Sequence, residues 1–174
     1  MKLLKSLTIA AFAVTTLAAS AFAAGHTKTV VETAIASPDH KTLVAAVKAA
    51  GLVETLSGDG PFTVFAPIDA GFAELPAGTV ETLLKPENKA MLQKVLTAHV
   101  VAGKIMAGDL ISKIEKHGGY LNIKTVSGDV ITARVDSKGV YIFDESGGVS
   151  RVTTADVESS NGVIHVVDDV LVPK

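Results

Sequence analysis

Gly60-Pro61-Phe62-Thr63-Val64-Phe65-Ala66-Pro67 is the most decisive stretch of the 174-residue chain. Residues 62 to 66 are aromatic, β-branched or small, a turn-forming run Ser57-Gly58-Asp59-Gly60 precedes them, and Pro67 stops them. The stretch therefore reads as a buried strand. Side chains alternate across a strand, so Phe62, Val64 and Ala66 share one face and Thr63 and Phe65 the other. That division suits a sheet covered by helices on one side.

Working outward, the upstream segment carries helix punctuation. Ser37 suits an N-cap and Pro38 the first helical position, which predicts a helix start there. Leu43, Val44 and Val47 recur at helical spacing, and Gly51 offers a left-handed stop. Leu52 to Leu56 adds a short turn. Downstream, short helical pieces are predicted over 69–75 and 79–84, then a longer helix from Pro86 to about Leu96 with Met91, Leu92, Val95 and Leu96 on one face. It runs into Ala98-His99-Val100-Val101, a strand-like run stopped by Gly103. From Tyr120 the period becomes alternating, broken by turns at Ser127-Gly128-Asp129, Asp136-Ser137-Lys138-Gly139 and Ser146-Gly147-Gly148. A last strand, Val163 to Val172, opens at the turn pair Asn161-Gly162 and ends at Pro173. Helices first and hairpins later predict an α+β domain rather than a doubly wound sheet.

The N-terminus reads as an export signal over residues 1–23. Lys2 and Lys5 form a charged start, an apolar stretch runs from Leu7 to Leu17, and Ala21-Phe22-Ala23 supplies small residues before a cut between Ala23 and Ala24. The stretch is too short and too rich in Ala and Thr for a membrane span of about 20 strongly apolar residues, so no stable membrane insertion is expected after cleavage. A lead-in over 24–36 and a single domain over 37–174 would follow. Secretion or residence in a periplasm are the two destinations this allows.

Composition excludes several chemistries. The chain has no Cys, which removes disulfides, thiol catalysis, thiolate zinc sites and iron–sulfur clusters. About 150 residues form one ordinary domain that needs neither metal nor disulfide for stability. The signal takes two lysines and no acids with it, so 14 basic against 18 acidic residues remain, a formal −4, with the charges interspersed. That balance, with 5% aromatics and no Trp, argues against nucleic-acid binding.

Three segments together resemble the fasciclin (FAS1) domain: residues 60–67 with Asp69 and Phe72, then His99-Val100-Val101, then Asn161-Gly162-Val163-Ile164-His165-Val166-Val167-Asp168. They occur in that family's order and spacing across residues 29–173. The resemblance implies a wedge of about seven strands in two sheets with several helices, in secreted or surface-attached proteins associated with cell adhesion. It also places Asp69 near the imidazole of His99, and the two are expected to form a polar pair in the core, since an unsatisfied buried group costs roughly 1 to 3 kcal/mol. Asn161 and His165 complete the expected structural polar core. The family usually has Tyr before the histidine, where this chain has Ala98. An adhesion motif of animal members centres on an Asp-Ile pair, matched in part by Asp156-Val157, which become candidate partner contacts.

No catalytic arrangement emerges. There is no G-x-S-x-G, and Ser57, Ser127 and Ser146 sit in ordinary turn contexts. His26, His40, His99, His117 and His165 share no i, i+4 spacing, and no D-x-D-x-D-G loop is present, so no metal is expected. Asp168 and Asp169 point to opposite faces of a strand and would not chelate together. The Gly58-Asp59-Gly60 loop lacks a Lys and precedes a strand, unlike a phosphate cradle. The expectation is a non-enzymatic interaction module without cofactor, binding a protein or surface glycan through its loops. The alternative is a carrier for a small apolar ligand such as a carotenoid or lipid, and a hydrolase is the weakest reading.

Overall fold

The computed structural model describes residues 27–174, so Ala23 and Ala24 lie outside the described residues. The chain forms α1 (Val30–Ala36), α2 (Lys41–Ala50), α3 (Val53–Leu56), β1 (Phe62–Pro67), α4 (Asp69–Glu74) and α5 (Thr79–Leu83). A 3₁₀ turn (Pro86–Asn88) leads into α6 (Lys89–Ala98), β2 (Val100–Ala102) and α7 (Ala107–Lys116). Then come β3 (Tyr120–Lys124), β4 (Val130–Asp136), β5 (Gly139–Phe143), β6 (Val149–Ser159) and β7 (Gly162–Val167).

The seven strands hydrogen-bond in the order β2-β1-β7-β6-β5-β4-β3. β1 and β7 are parallel, from Phe62 opposite Gly162 to Pro67 opposite Val167, and the other pairs are antiparallel. β6 joins two half-sheets: residues 149–151 pair with β5 and residues 152–159 with β7. Register shifts between Val152 and Thr154 and between Thr154 and Val157 bend it on the way. The two sheets expected from the sequence are these halves, continuous through one strand.

The alternation along β1 is realised, but helices cover both of its faces. Val64 and Ala66, with Ile164 of β7, pack against Val30, Leu43, Val47 and Leu56 of the N-terminal helices and Leu92 and Leu96 of α6. Phe65 turns the other way, into a second core with Val101, Val167, Ile131 and Ile142. That core is closed by Leu110 and Ile114 of α7, a helix not anticipated from sequence. Each such side chain, fully buried, stabilises the fold by about 1.5–3 kcal/mol.

The expected lead-in is partly structured. Thr29 accepts from the Glu32 amide and the Glu32 carboxylate accepts from the Thr29 amide, a reciprocal cap that starts α1. Val30 and Val31 are buried, and the Ser160 amide donates to the Lys28 carbonyl. Residues 28–36 of the lead-in thus pack against the rest of the described chain. Ser37 ends α1 instead of opening α2, and Pro38 follows a helix stop, where proline is equally at home. Gly51 does end α2, at φ 70°. Among the described residues no helix is long and apolar enough to cross a membrane.

Candidate functional site

Of the polar residues singled out by sequence, Asn161 and His165 lie along the seam between β1 and β7, Asp156 at the bulged part of β6, and Asp69 and His99 elsewhere, on α4 and at the end of α6. At the start of the seam the backbones of Gly60 and Gly162 approach the opposing strand so closely that neither position has room for a Cβ. Asn161 locks this end: its Oδ1 accepts from the Val30 amide at 2.9 Å, and its Nδ2 donates to the carbonyls of Leu56 at 2.8 Å and Gly58 at 2.9 Å. One half-buried side chain therefore ties α1, the end of α3 and the loop before β1 to the β6–β7 turn.

Further along, His165 is 1% exposed. Its Nε2 donates to the Ile105 carbonyl at 2.7 Å and its Nδ1 accepts from the Asp156 amide at 3.3 Å. Beside it, Thr63 donates to the Gly103 carbonyl at 2.6 Å and accepts from the Ile105 amide at 2.9 Å. The two side chains pin the segment that leads into α7. Asp156, at the bulged part of β6, holds a left-handed φ of 57° and accepts from the Ala107 amide at 2.7 Å, capping the first turn of α7. Val157 points inward against the helical core. The Asp156-Val157 pair thus has structural employment, although Asp156 itself is exposed. Asp156→Ala should cost about 1–2 kcal/mol through the lost cap and the strained backbone, and hydrogen exchange in the first turn of α7 should accelerate. Unchanged protection there would show the cap to be idle.

Asp69 and His99 do not form the expected pair. The Asp69 carboxylate accepts from the Thr42 amide at 2.7 Å, in the first turn of α2. Desolvation pushes its pKa upward, but bonds from Thr42 and Lys41 and the nearby His40 outweigh it and hold it below the ordinary 3.8. The charged form is the bound form, so its contribution is present above pH 3.8 and is lost as pH falls through the lower folded value. Asp69→Ala should cost about 1 kcal/mol at neutral pH, the usual worth of such a cap, and the deficit should shrink in acid; denaturant midpoints at pH 7 and pH 3 check this.

His99, 2% exposed, meets backbone groups only: Nδ1 donates to the Val95 carbonyl at 2.8 Å and Nε2 accepts from the Leu171 amide at 2.8 Å. Burial lowers its pKa from 6.5 to about 4, against smaller upward pulls from the Val95 carbonyl and the charge of Asp144. A neutral ring that fastens the C-terminal segment to α6 is a structural part. His99 is therefore a core polar group, whereas Asp69 is only partly buried and sits outside the core, against expectation; each is satisfied by a distant amide.

Sequence reasoning gave His40 no role, yet it is 5% exposed and its Nε2 is buried without a hydrogen-bond partner. No grouping of three or more His, Cys, Asp or Glu side chains that could hold a metal occurs among the described residues. A separate apolar groove of about 260 Å³ lies between α5, α6 and the C-terminal segment, lined by Leu75, Leu83, Met91, Val95, Val170 and Val172.

This fold and polar framework define a fasciclin-type domain, and comparison with known proteins agrees. The chain belongs to the fasciclin domain family, whose model matches residues 38–173. Protein sll1483 of Synechocystis sp. is 49% identical over 145 residues, covering 83% of this chain and 73% of that protein. Transforming growth factor-beta-induced protein ig-h3 of Sus scrofa is 34% identical over 131 residues, 75% of this chain but 17% of that much longer protein. A solved FAS1 domain pair from the insect cell adhesion molecule Fasciclin I superposes with a TM-score of 0.73 at 21% identity, covering 83% of this chain and 50% of that one.

Proposed function

We propose that the protein is an exported, non-enzymatic interaction module that binds a protein or surface glycan through its exposed loops. The observation that carries this reading is the fasciclin fold, matched over residues 38–173, which also occurs in an insect cell adhesion molecule. The side chains most suited to catalysis support it, because His99, His165, Asp69 and Asp156 all hold backbone amides or carbonyls in place. The signal expected over residues 1–23 is in keeping with an address outside the cytoplasm.

A second reading, a carrier for a small apolar ligand, draws on the groove beside Met91, which is 60% exposed. Its 260 Å³ falls just below the usual range of ligand pockets, about 300–1,000 Å³, so the interaction module is preferred. Immobilised residues 24–174 exposed to envelope and surface fractions should retain a protein or glycan saturably, with free protein competing. A pigment or lipid in an organic extract of the purified protein would favour the carrier. Turnover of a hydrolase substrate that disappears in a folded His99→Ala variant would overturn both.

A further inference from the structure

The chain contains two tyrosines and two arginines, and all four stand in one row on the outer face of the half-sheet β3 to β6. Tyr120 of β3 lies opposite Arg134 of β4, Arg134 opposite Tyr141 of β5, and Tyr141 opposite Arg151 of β6. Alternation along the strands sends Ala133 and Ile142 inward, into the core closed by α7, so the row faces away from it. Tyr120 is 50% exposed, both arginines are exposed and Tyr141 is half-buried.

Opposite residues on one face stand within about 5.5 Å of each other, so ring and cation alternate along the row without a gap. The Arg134 guanidinium lies over the Phe143 ring, 5.0 Å from its centre, which restrains it. Among the described residues neither guanidinium forms an ion pair or a hydrogen bond, so the N–H groups of both remain for a partner. Lys124 adds a third cation to this face. Its acid, Asp136, is already engaged by the Lys138 and Gly139 amides at the β4–β5 turn. The face is thus cationic in a chain of formal charge −2.

Two exposed arginines require an anionic partner, and the guanidinium fork matches a carboxylate. Spacing decides which kind. Strands lie about 4.8 Å apart, which sets the arginines about 10 Å apart with Tyr141 midway. An extended acidic peptide presents same-face carboxylates at about 7 or 14 Å, out of step with that interval. The units of an extended polysaccharide follow one another at close to one strand spacing instead. When uronic acid and neutral sugar alternate, a carboxylate recurs at every second unit, which is the arginine interval. The neutral units then fall on Tyr120 and Tyr141, whose apolar ring bodies suit the C–H face of a pyranose.

We propose that this row is a binding face for an acidic polysaccharide in which uronic acid alternates with a neutral sugar. The polymer lies across the strands, with carboxylates on Arg134 and Arg151 and neutral rings on Tyr120 and Tyr141. The face is built by strands rather than loops, so it stands apart from the loop-borne binding proposed above.

An octasaccharide of alternating glucuronate and N-acetylglucosamine, its carboxyl-reduced form and a peptide of four Glu-Ser repeats are the probes, titrated into the isotope-labelled protein by NMR. The octasaccharide should shift the Tyr120 and Tyr141 rings and both arginine side chains saturably, with a submillimolar Kd that weakens as salt is raised. The reduced form and the peptide should each bind at least tenfold more weakly. Arg134→Gln and Arg151→Gln should each lose about fivefold in affinity, the upper worth of one exposed ion pair. Tyr120→Ala should lose severalfold with no change of charge, and Lys48→Gln, the same charge change on α2, should bind like the parent. All four positions are exposed, and cooperative melting checks that each variant is folded. The proposal is overturned if the shifts stay linear, if the reduced octasaccharide binds equally, if Lys48→Gln weakens binding as much as the arginine variants, or if the peptide binds as tightly, which would assign the face to acidic proteins. Saturable shifts confined to the loops would also overturn it, while leaving the loop-borne reading standing.

Discussion

Gly162→Ala should destabilise the domain by about 3–5 kcal/mol, a large share of the roughly 5–15 kcal/mol that holds a domain folded. Gly162 opens β7 directly opposite Phe62 in the parallel pair, and an added Cβ would press into the Phe62 carbonyl. Nothing flexible can give way. The obstacle is backbone, and it is held by the Phe62 amide donating to the Asn161 carbonyl at 3.0 Å and by Asn161 bonding three other segments. Moving the strands apart would release Ile164 and Val64 from the helical core as well. Gly108→Ala is the control, since a Cβ in the first turn of α7 meets nothing within 4 Å, and Ala there should be neutral or stabilising by up to about 1 kcal/mol. Urea unfolding of both variants measures the contrast. A Gly162→Ala midpoint close to the parent's would mean that the β1–β7 seam is far more pliable than its geometry implies.

The features legible in the sequence are those written in local residue types. Phe62 to Pro67 announced β1 because β-branched and aromatic residues were bounded by glycine and proline. Gly51 and the Asn161-Gly162 turn were readable because their backbone needs are met by few residues. The order of helices and hairpins gave the fold class. α1 was illegible because Val30, Val31 and Thr33 are β-branched, and what starts a helix there is the reciprocal Thr29–Glu32 cap. α7 was missed although Leu110, Ile111 and Ile114 recur at helical spacing, on a stretch bounded by Gly103 and Gly118. The polar framework was legible as a set of residues but not as a wiring. Asp69 reaches an amide 27 positions away and His99 one 72 positions away. A backbone amide carries no residue-type signature, so two conspicuous side chains were matched to each other when each was matched to main chain. His40 shows the same limit from the other side, because a nitrogen without a partner leaves no trace in sequence at all.

His99 should make the domain acid-sensitive well above the range where carboxylates titrate. The Leu171 amide donates to Nε2, so a proton can enter there only by displacing that bond in a fully buried site, and the folded pKa sits at about 4 against 6.5 unfolded. The unfolded chain therefore binds the extra proton first as pH falls. Stability is fully present above pH 6.5, declines through the window down to pH 4, and levels off below it as far as this group is concerned. Between pH 8 and pH 5 the loss amounts to roughly 2 kcal/mol, from 1.36 kcal/mol per unit of separation. Asp69 adds its own loss only further down, below its ordinary 3.8, so the two groups act in separate windows. His99→Phe keeps the ring volume, leaves the Leu171 amide and the Val95 carbonyl without the imidazole, and should cost about 2–4 kcal/mol at pH 8. Its stability should also depend less on pH between 8 and 5, by about the same 2 kcal/mol, so that parent and variant converge in acid. Urea unfolding of both proteins at pH 8, 6.5 and 5 gives the difference directly. Parallel pH profiles would place the acid sensitivity on another group and return His99 to a purely packing role, whereas convergence would identify the C-terminal anchor on α6 as the first part of the fold to yield to acid.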